Sequence, residues 1–299
     1  MTQQTRIAVI GAGLMGHGIA QVFALAGHAV AITDSFTANL DTVRERVSAN
    51  LRDLGDDPAA VGRITPNADL AAAVREADYV VEAVLEDLPL KQKLFAEIEK
   101  HVRPDTILAS NTSVIPITDI MKGLRHRERA VGTHWWNPPY LVPLVEVIGT
   151  EWTSPKTIET TMALHKAIGK TPVHVKKDVA GFVGNRLQHA LWREAIALVE
   201  QGICDAETVD TVIKAAFGRR LAVLGPLENA DLVGTDLTLA IHRTVLPEIE
   251  SRPGPSPYLE KLVAEGKLGF KSGEGFRKWT PEQQQELRAR VTRHLKQAR

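Results

Sequence analysis

The sequence predicts an α/β chain, with a doubly wound sheet over residues 1–180 followed by an all-helical domain over residues 181–299, and three observations predict it. Strand-like runs alternate with helical ones through the first half: "RIAVI" at Arg6, "AVAIT" at Ala29, "ADYVVEAVLE" from Ala77, "TILASNTS" from Thr106, "AVGTHWW" from Ala130 and "LVEVIG" from Leu144. After "KTPVHVKKDVAGFVGNRL" the strand patterns stop, and residues 185–201, 206–217, 228–242, 256–266 and 281–297 read as helices separated by glycine or proline. A length of 299 residues exceeds the common single-domain range. Within the first of those helices Leu187, Leu191, Ala195, Leu198 and Val199 recur at helical spacing. The domain boundary is expected near residues 177–184, where Gly181 and Gly184 flank an aromatic at the head of that helix.

Composition narrows the function classes. With 44% hydrophobic and 24% charged residues the chain can build a real core. Its formal net charge is zero, which argues against nucleic acid or an anionic membrane as the main partner. The basic residues Arg288, Arg290, Arg293, Lys296 and Arg299 read as the solvated face of the last helix. One cysteine, Cys204, leaves no internal disulfide and no paired-cysteine metal or redox site, and fits a reducing, cytoplasmic compartment. The apolar run over residues 7–27 has the length of a membrane span or signal segment, but glycines at 11, 13, 16, 18 and 27 favour a strand, a tight turn and a buried helix. There is no repeat and no low-complexity segment.

The stretch "RIAVIGAGLMGHGIAQVFALAGHAVAITD" carries Gly11, Gly13 and Gly16 between the first strand and a helix, with Asp34 closing the second strand. Gly11 suits the tight turn, Gly13 lets the backbone approach a pyrophosphate, and Gly16 lets helix and strand pack closely. The pyrophosphate would sit on the helix N-terminus, with Leu14 and Met15 among the glycines at the cofactor. Asp34 would accept hydrogen bonds from ribose hydroxyls and repel a 2′-phosphate, so NAD is expected over NADP and the first domain is a Rossmann-type dinucleotide domain. Ligands of such sheets bind beyond the C-terminal strand ends, where Glu82, Glu86, Ser110, Asn111, Ser113, His134 and Asn137 all fall. Alone, Ser113 equally suits a helix cap, Asn111 a turn and Asn185 a cap. The segment "VGTHWWNPPYLVPLVEVIG" reads as a buried strand pair, yet it holds His134, Asn137 and Glu146, polar groups that burial penalises unless they have partners.

Together, GxGxxG, "SNTS" ending at Ser113, "HWWNPPYLVPLVEVIG", "DVAGFVGNRL", "LGPLENADLVGTD" and "GKLGFKSGEGFRKW" resemble the 3-hydroxyacyl-CoA dehydrogenase family over essentially the whole chain. The resemblance implies an NAD-dependent dehydrogenase with a helical C-terminal domain through which it dimerises. It implies His134 as the base that removes the hydroxyl proton and Glu146 as its paired carboxylate. It further implies Ser113 and Asn185 as groups holding the reacting oxygen, and Asn137 as another active-site asparagine. It places Gly11, Gly13, Gly16, Asp34, Glu86, Lys91 and Asn111 at the cofactor. These types suit the chemistry, since an alcohol yields a carbonyl only if a base takes its proton as hydride departs. A carboxylate behind the imidazole fixes its tautomer, and hydrogen-bond donors steady the oxygen as charge develops.

The sequence departs from the acyl-CoA-using members, which follow the second strand with a lysine-rich helical hairpin that meets CoA phosphates. Residues 35–63 contain no lysine; Arg44, Arg46, Arg52 and Arg63 stand against Asp41, Glu45, Asp53, Asp56 and Asp57. That balance complements several phosphates poorly. "NPPYLVPLVEV" is also nearer the CoA-independent branch, which includes L-carnitine dehydrogenase, L-gulonate 3-dehydrogenase (lambda-crystallin) and a pyridine-carboxylate dehydrogenase of vitamin B6 degradation. The expected substrate is therefore a small hydroxy acid or related alcohol free of CoA, with a 3-hydroxyacyl-CoA as the alternative and a non-catalytic NAD-binding role as the competing class. Trp135 and Tyr140 are expected to line the substrate pocket, with Trp136 beside them, unless they pack between domains. Arg186, Arg193, Arg219 and Arg220 are candidates for a substrate carboxylate. The related beta-hydroxyacid dehydrogenases use a lysine on the first interdomain helix, and no lysine lies between Asn185 and Gln201.

Overall fold

Strand and helix formation in the first half follows the apolar periodicity. Five consecutive residues of β1 (Arg6–Ile10) alternate between two layers: Ile7 and Val9 join one apolar cluster and Ala8 and Ile10 the other, as a strand covered on both faces requires. The computed structural model describes residues 4–299 and divides into two compact units, Met1–Asn185 with His294–Arg299, and Arg186–Arg293. Residues 294–299, expected with the second domain, cluster with the first unit, where Lys296 pairs with Asp53 at 2.7 Å and Arg299 with Asp56 at 2.7 Å.

In the first unit β1 is followed by α1 (Leu14–Leu25), β2 (Ala29–Thr33), α2 (Thr37–Leu54), β3 (Ile64–Pro66), α3 (Leu70–Val74), β4 (Tyr79–Glu82), α4 (Leu88–Glu99), β5 (Ile107–Ser110), α5 (Ile117–Met121), β6 (Ala130–Trp135), β7 (Leu144–Ile148), α6 (Pro155–Ala167) and β8 (Thr171–Val175). The eight strands form one sheet in the order β3-β2-β1-β4-β5-β6-β7-β8. The first six are mutually parallel, which confirms the doubly wound pattern. β7 runs antiparallel to β6, and β8 parallel to β7. Residues 136–143 are too few for a crossover, so the chain can only double back there. The short strand β3 was absent from the runs read in the sequence.

The helices obey local rules. α2 buries Leu40, Val43, Val47 and Leu51 on one stripe and stops at Gly55, whose φ of 70° ends the helix in the left-handed region. α4 starts where the Asp87 carboxylate accepts from Leu90 N–H at 2.8 Å. Phe23, Ile32, Val43 and Val47 fill one side of the sheet; Val80, Phe95, Ile98 and Leu108 fill the other.

From Arg186 onward the chain is helical, as expected, in α7 (Gly184–Glu200), α8 (Ala206–Ala215), α9 (Pro226–Val233), α10 (Thr235–Val245), α11 (Pro257–Ala264) and α12 (Pro281–Gln297). The single helix expected over 228–242 is corrected to two, because Gly234 between them has φ 100°. Among the described residues no helix is long and apolar enough to cross a membrane, and no cluster of histidine, cysteine and carboxylate side chains suits a metal ion.

Candidate active site

The site begins at the glycine turn. Gly11 has φ 97° and donates its N–H to Thr33 O at 2.8 Å; a Cβ there would press on the Ala83 carbonyl. A Cβ on Gly16 would collide with the Gly11 carbonyl, whereas one on Gly13 meets nothing within 4 Å. The chain is therefore closed around Gly11 and Gly16 and open over Gly13. No side chain caps Gly13 at the head of α1, and the first turn carries no acid. Such an end favours an anion. Asp34 stands beside it: Oδ2 accepts from Ala12 N–H at 2.7 Å and Asn39 Nδ2 at 3.0 Å, and Oδ1 from Phe36 N–H at 2.8 Å. This acid welds the turn to the end of β2 and leaves lone-pair capacity for a ribose. An uncapped helix head, an open glycine and an adjoining carboxylate fit NAD.

A charge network built on the buried pair Lys91 and Glu82 lies at the ends of β4 and β5. Lys91, 1% exposed, places Nζ 2.6 Å from Glu82 Oε1 and 3.4 Å from Glu86 Oε2. Glu82 also accepts from Ser110 Oγ at 2.6 Å and Val84 N–H at 2.8 Å. Glu86 Oε1 accepts from Thr112 Oγ1, Ser113 N–H and Val114 N–H at 2.6, 2.9 and 3.1 Å. Burial alone would raise the Glu86 carboxyl, but those donors and the Lys91 ammonium hold it below its ordinary range. The three groups thereby fix the loop of Asn111 and Ser113. Asn111 Oδ1 accepts from Trp135 N–H at 2.9 Å, extending the pairing between β5 and β6 with a side chain.

The antiparallel turn of β6 into β7 sets His134 directly opposite Glu146. Both are buried, and His134 Nδ1 lies 2.8 Å from Glu146 Oε2. The other oxygen, Oε1, accepts from Val183 N–H at 2.9 Å and Gly184 N–H at 3.0 Å. Burial would raise the Glu146 carboxyl, yet the His134 hydrogen bond and the two amides hold it below its ordinary range. An ionised carboxylate only accepts, so Nδ1 carries the proton and Nε2 is left as the basic nitrogen. Trp136 and Phe182 flank the imidazole, with ring centroids 5.3 and 5.7 Å away. Phe182 has φ 48°, in the left-handed region that a bulky residue rarely visits, and Gly181 before it has φ 73°. That twist aims two consecutive amides at Glu146. A Cβ on Gly184 would strike the Trp136 ring.

Asn185, next in the chain, donates Nδ2 to the Ser113 carbonyl at 2.8 Å, so these two sequence candidates come together. Asn137 is exposed in the loop after β6 and makes no hydrogen bond among the described residues. Trp135 corrects the expectation of a pocket-lining ring. It is 2% exposed and packs 5.8 Å from Phe23 and 5.2 Å from His165 in the apolar layer on the opposite sheet face from His134, because successive strand residues alternate sides. Tyr140 packs against Gly18 and lines a cavity bordered by Gln21 and Lys170, away from His134. Arg186, Arg193, Arg219 and Arg220 form no side-chain ion pair among the described residues, and nothing selects one of them. The sequence reading missed the amides of Val183 and Gly184. Its only signal was the glycine pair around Phe182.

Comparison with known proteins agrees with this architecture. Residues 6–179 match the 3-hydroxyacyl-CoA dehydrogenase NAD binding domain, and residues 181–279 the C-terminal domain of the same family. The 5-formyl-3-hydroxy-2-methylpyridine 4-carboxylate 5-dehydrogenase of Mesorhizobium japonicum is 38% identical over 294 residues, which span 97% of this chain and 95% of that protein. The mitochondrial hydroxyacyl-coenzyme A dehydrogenase of Homo sapiens is 40% identical over 288 residues, spanning 91% and 90%. A crystal structure of a 5-formyl-3-hydroxy-2-methylpyridine 4-carboxylic acid 5-dehydrogenase, described as an NAD+ dependent dismutase, superposes with a TM-score of 0.93 at 38% identity, covering 99% of this chain and 97% of that one. An (S)-3-hydroxybutyryl-CoA dehydrogenase from Ralstonia eutropha gives 0.78 at 32% identity, covering 93% and 100%. The chain therefore belongs to the 3-hydroxyacyl-CoA dehydrogenase family, whose members are NAD-dependent dehydrogenases, and uses NAD as its cofactor.

Proposed function

We propose that the protein oxidises a hydroxyl on a small, CoA-free carboxylic acid to a carbonyl, with His134 as the general base. The observation that carries the reading is the His134–Glu146 pair, buried and locked by two amides on its far side. Two such groups cost free energy to bury, and a protein that merely bound a dinucleotide would have no use for them. His134 Nε2 takes the hydroxyl proton while Glu146 stabilises the imidazolium that forms. Ser113 and Asn185, joined at the head of α7, hold the oxygen. NAD, when bound, accepts the hydrogen and electron pair leaving the carbon.

Three features support a substrate without CoA. The segment after β2 is one lysine-free helix followed by a short turn. Three of its four arginines are already engaged: Arg44 Nε donates to Ile64 O at 2.9 Å, Arg46 Nη2 to Ala12 O at 2.7 Å and Asn39 O at 2.8 Å, and Arg63 Nη1 to Ala24 O at 3.2 Å, while Arg52 is exposed. The relative with the pyridine-carboxylate name also shares the greater structural likeness of the two compared above. Its name adds aromatic carboxylates with an oxidisable ring substituent to the substrate class. Similarity to the human hydroxyacyl-coenzyme A dehydrogenase makes 3-hydroxybutyryl-CoA the competitor to test. NAD-linked absorbance assays across both groups decide: a kcat/KM for 3-hydroxybutyryl-CoA above that of every free acid would reject the CoA-free reading.

We further infer a homodimer formed by the second unit, because Val223, Leu227 and Leu232 are 86%, 80% and 72% exposed there. We also propose a cytoplasmic location, which the single cysteine, Cys204, supports.

A further inference from the structure

We propose that a cavity between α1, the β6–β7 connection and the start of β8 is a second binding site, which takes a small monocarboxylate with an apolar body. The cavity has a volume of about 490 Å³, ample for a molecule of roughly ten heavy atoms. Val22, Leu25, Leu141, Pro143 and Ile168 supply apolar wall. Three polar groups line it without belonging to the site described above: Gln21, Lys170 and the Arg299–Asp56 pair.

Gln21 is 1% exposed, and its Oε1 accepts from Asn50 at 3.0 Å, but its Nε2 has no hydrogen-bond partner among the described residues. An amide N–H left unpaired at that depth is costly, and a carboxylate oxygen would satisfy it. Lys170 is 9% exposed; its Nζ donates to the carbonyls of Pro139 and Val142, which leaves one of three N–H groups for a ligand. Two neutral carbonyls do not neutralise an ammonium, and burial pushes this lysine down to about 8. An anion beside it would restore the missing countercharge. The third polar group, the Arg299–Asp56 ion pair at 2.7 Å, is internally balanced. The cavity thus offers one uncompensated positive charge, which matches a monocarboxylate; a dianionic phosphate would face Asp56 as well. The inference stands on these residues and does not require the proposed reaction.

Occupancy has a built-in reporter, because Lys170 Nζ lies 5.2 Å from the centroid of the Trp135 ring. The test is calorimetric and fluorescence titration of the full chain with benzoate, and with neutral benzamide as control. Saturable benzoate binding at millimolar Kd, at least about tenfold tighter than benzamide, is expected from one charge-assisted contact. Gln21→Glu keeps the acceptor for Asn50 but replaces the free donor with a negative charge; it should weaken benzoate at least about tenfold while the Kd for NAD stays within about twofold. Lys170→Met should weaken benzoate similarly, and a thermal melt shows whether that variant is folded. No saturable binding to the wild type, unchanged binding to Gln21→Glu, displacement of benzoate by NAD, or tighter binding of inorganic phosphate than of benzoate would each overturn the proposal.

Discussion

The two units divide their labour by burial. In the first, both faces of the sheet are covered and the charged groups at the candidate site are paired, as with His134 and Glu146 or Lys91 and Glu82. In the second, Ala197 and Leu262 are the buried apolar side chains between Arg186 and Arg293, while Val223, Leu227, Leu232, Leu237 and Ile241 along α9, α10 and the segment before them lie open to solvent. That exposed apolar surface is the observation on which the proposed dimer rests.

The sharpest way to break that contrast is to disable the dyad alone. His134→Gln should cut kcat by about 10³-fold with NAD affinity unchanged, and Glu146→Gln by about 10²–10³-fold, since a misoriented imidazole still leaves cofactor and substrate in place. Single-turnover absorbance and NAD titration measure both; equal loss of NAD affinity would mean that the pair is structural. On the other side, Leu227→Asp with Leu232→Asp should move the protein toward monomer in sedimentation velocity. An unaltered sedimentation profile would leave the apolar face unexplained.

Acid sharpens the contrast within the first unit. His165 is fully buried, and burial holds it down to about 4 from an ordinary value near 6.5. Its folded value is the lower one, so the unfolded chain takes up a proton as pH falls from 6.5 toward 4 while the folded chain does not. Stability is then lost across that window, by about 2 kcal/mol between pH 7 and 5. Urea midpoints at the two pH values should show it, and His165→Phe should flatten the difference.

A smaller effect is expected in the second unit from Gly234→Ala, at about 1 kcal/mol or more. Its φ of 100° is wrong for alanine, and the added Cβ would sit 2.7 Å from Asp236 Oδ1. The smallest belongs to Asp78, held at about 2 despite partial burial by hydrogen bonds from Arg6 and Arg103. Its depressed folded value stabilises the protein above the ordinary carboxylate range and loses that contribution as pH drops through 2. Asp78→Asn should cost about 1 kcal/mol at neutral pH once solvent screening is allowed for. Denaturation midpoints read both variants.

What was legible in the sequence was whatever depends on neighbours along the chain. Gly11, Gly13 and Gly16 announce their turn because each answers a local steric demand. His134 and Glu146 stand out because they are polar groups inside two apolar strand-like runs, and their pairing was what the family resemblance implied. Which of two adjacent tryptophans shares the imidazole's face follows from strand alternation, whereas which face is packed under the apolar layer is set by packing; Trp135 went to the core and Trp136 to the histidine. The break at Gly234 and the return of Lys296 and Arg299 to the first unit are likewise tertiary outcomes. So is the use of Arg44, Arg46 and Arg63 on backbone carbonyls, which no count of charges discloses.

The double grip on Glu146 has a spectroscopic corollary. A proton shared between two groups sealed from water, with the acceptor immobilised from behind, exchanges slowly and is strongly deshielded. The Nδ1 hydrogen of His134 should accordingly persist as a far-downfield resonance in ordinary water, and loosening the backbone at Val183 or Gly184 should erase that signal before any change in the circular dichroism of the fold.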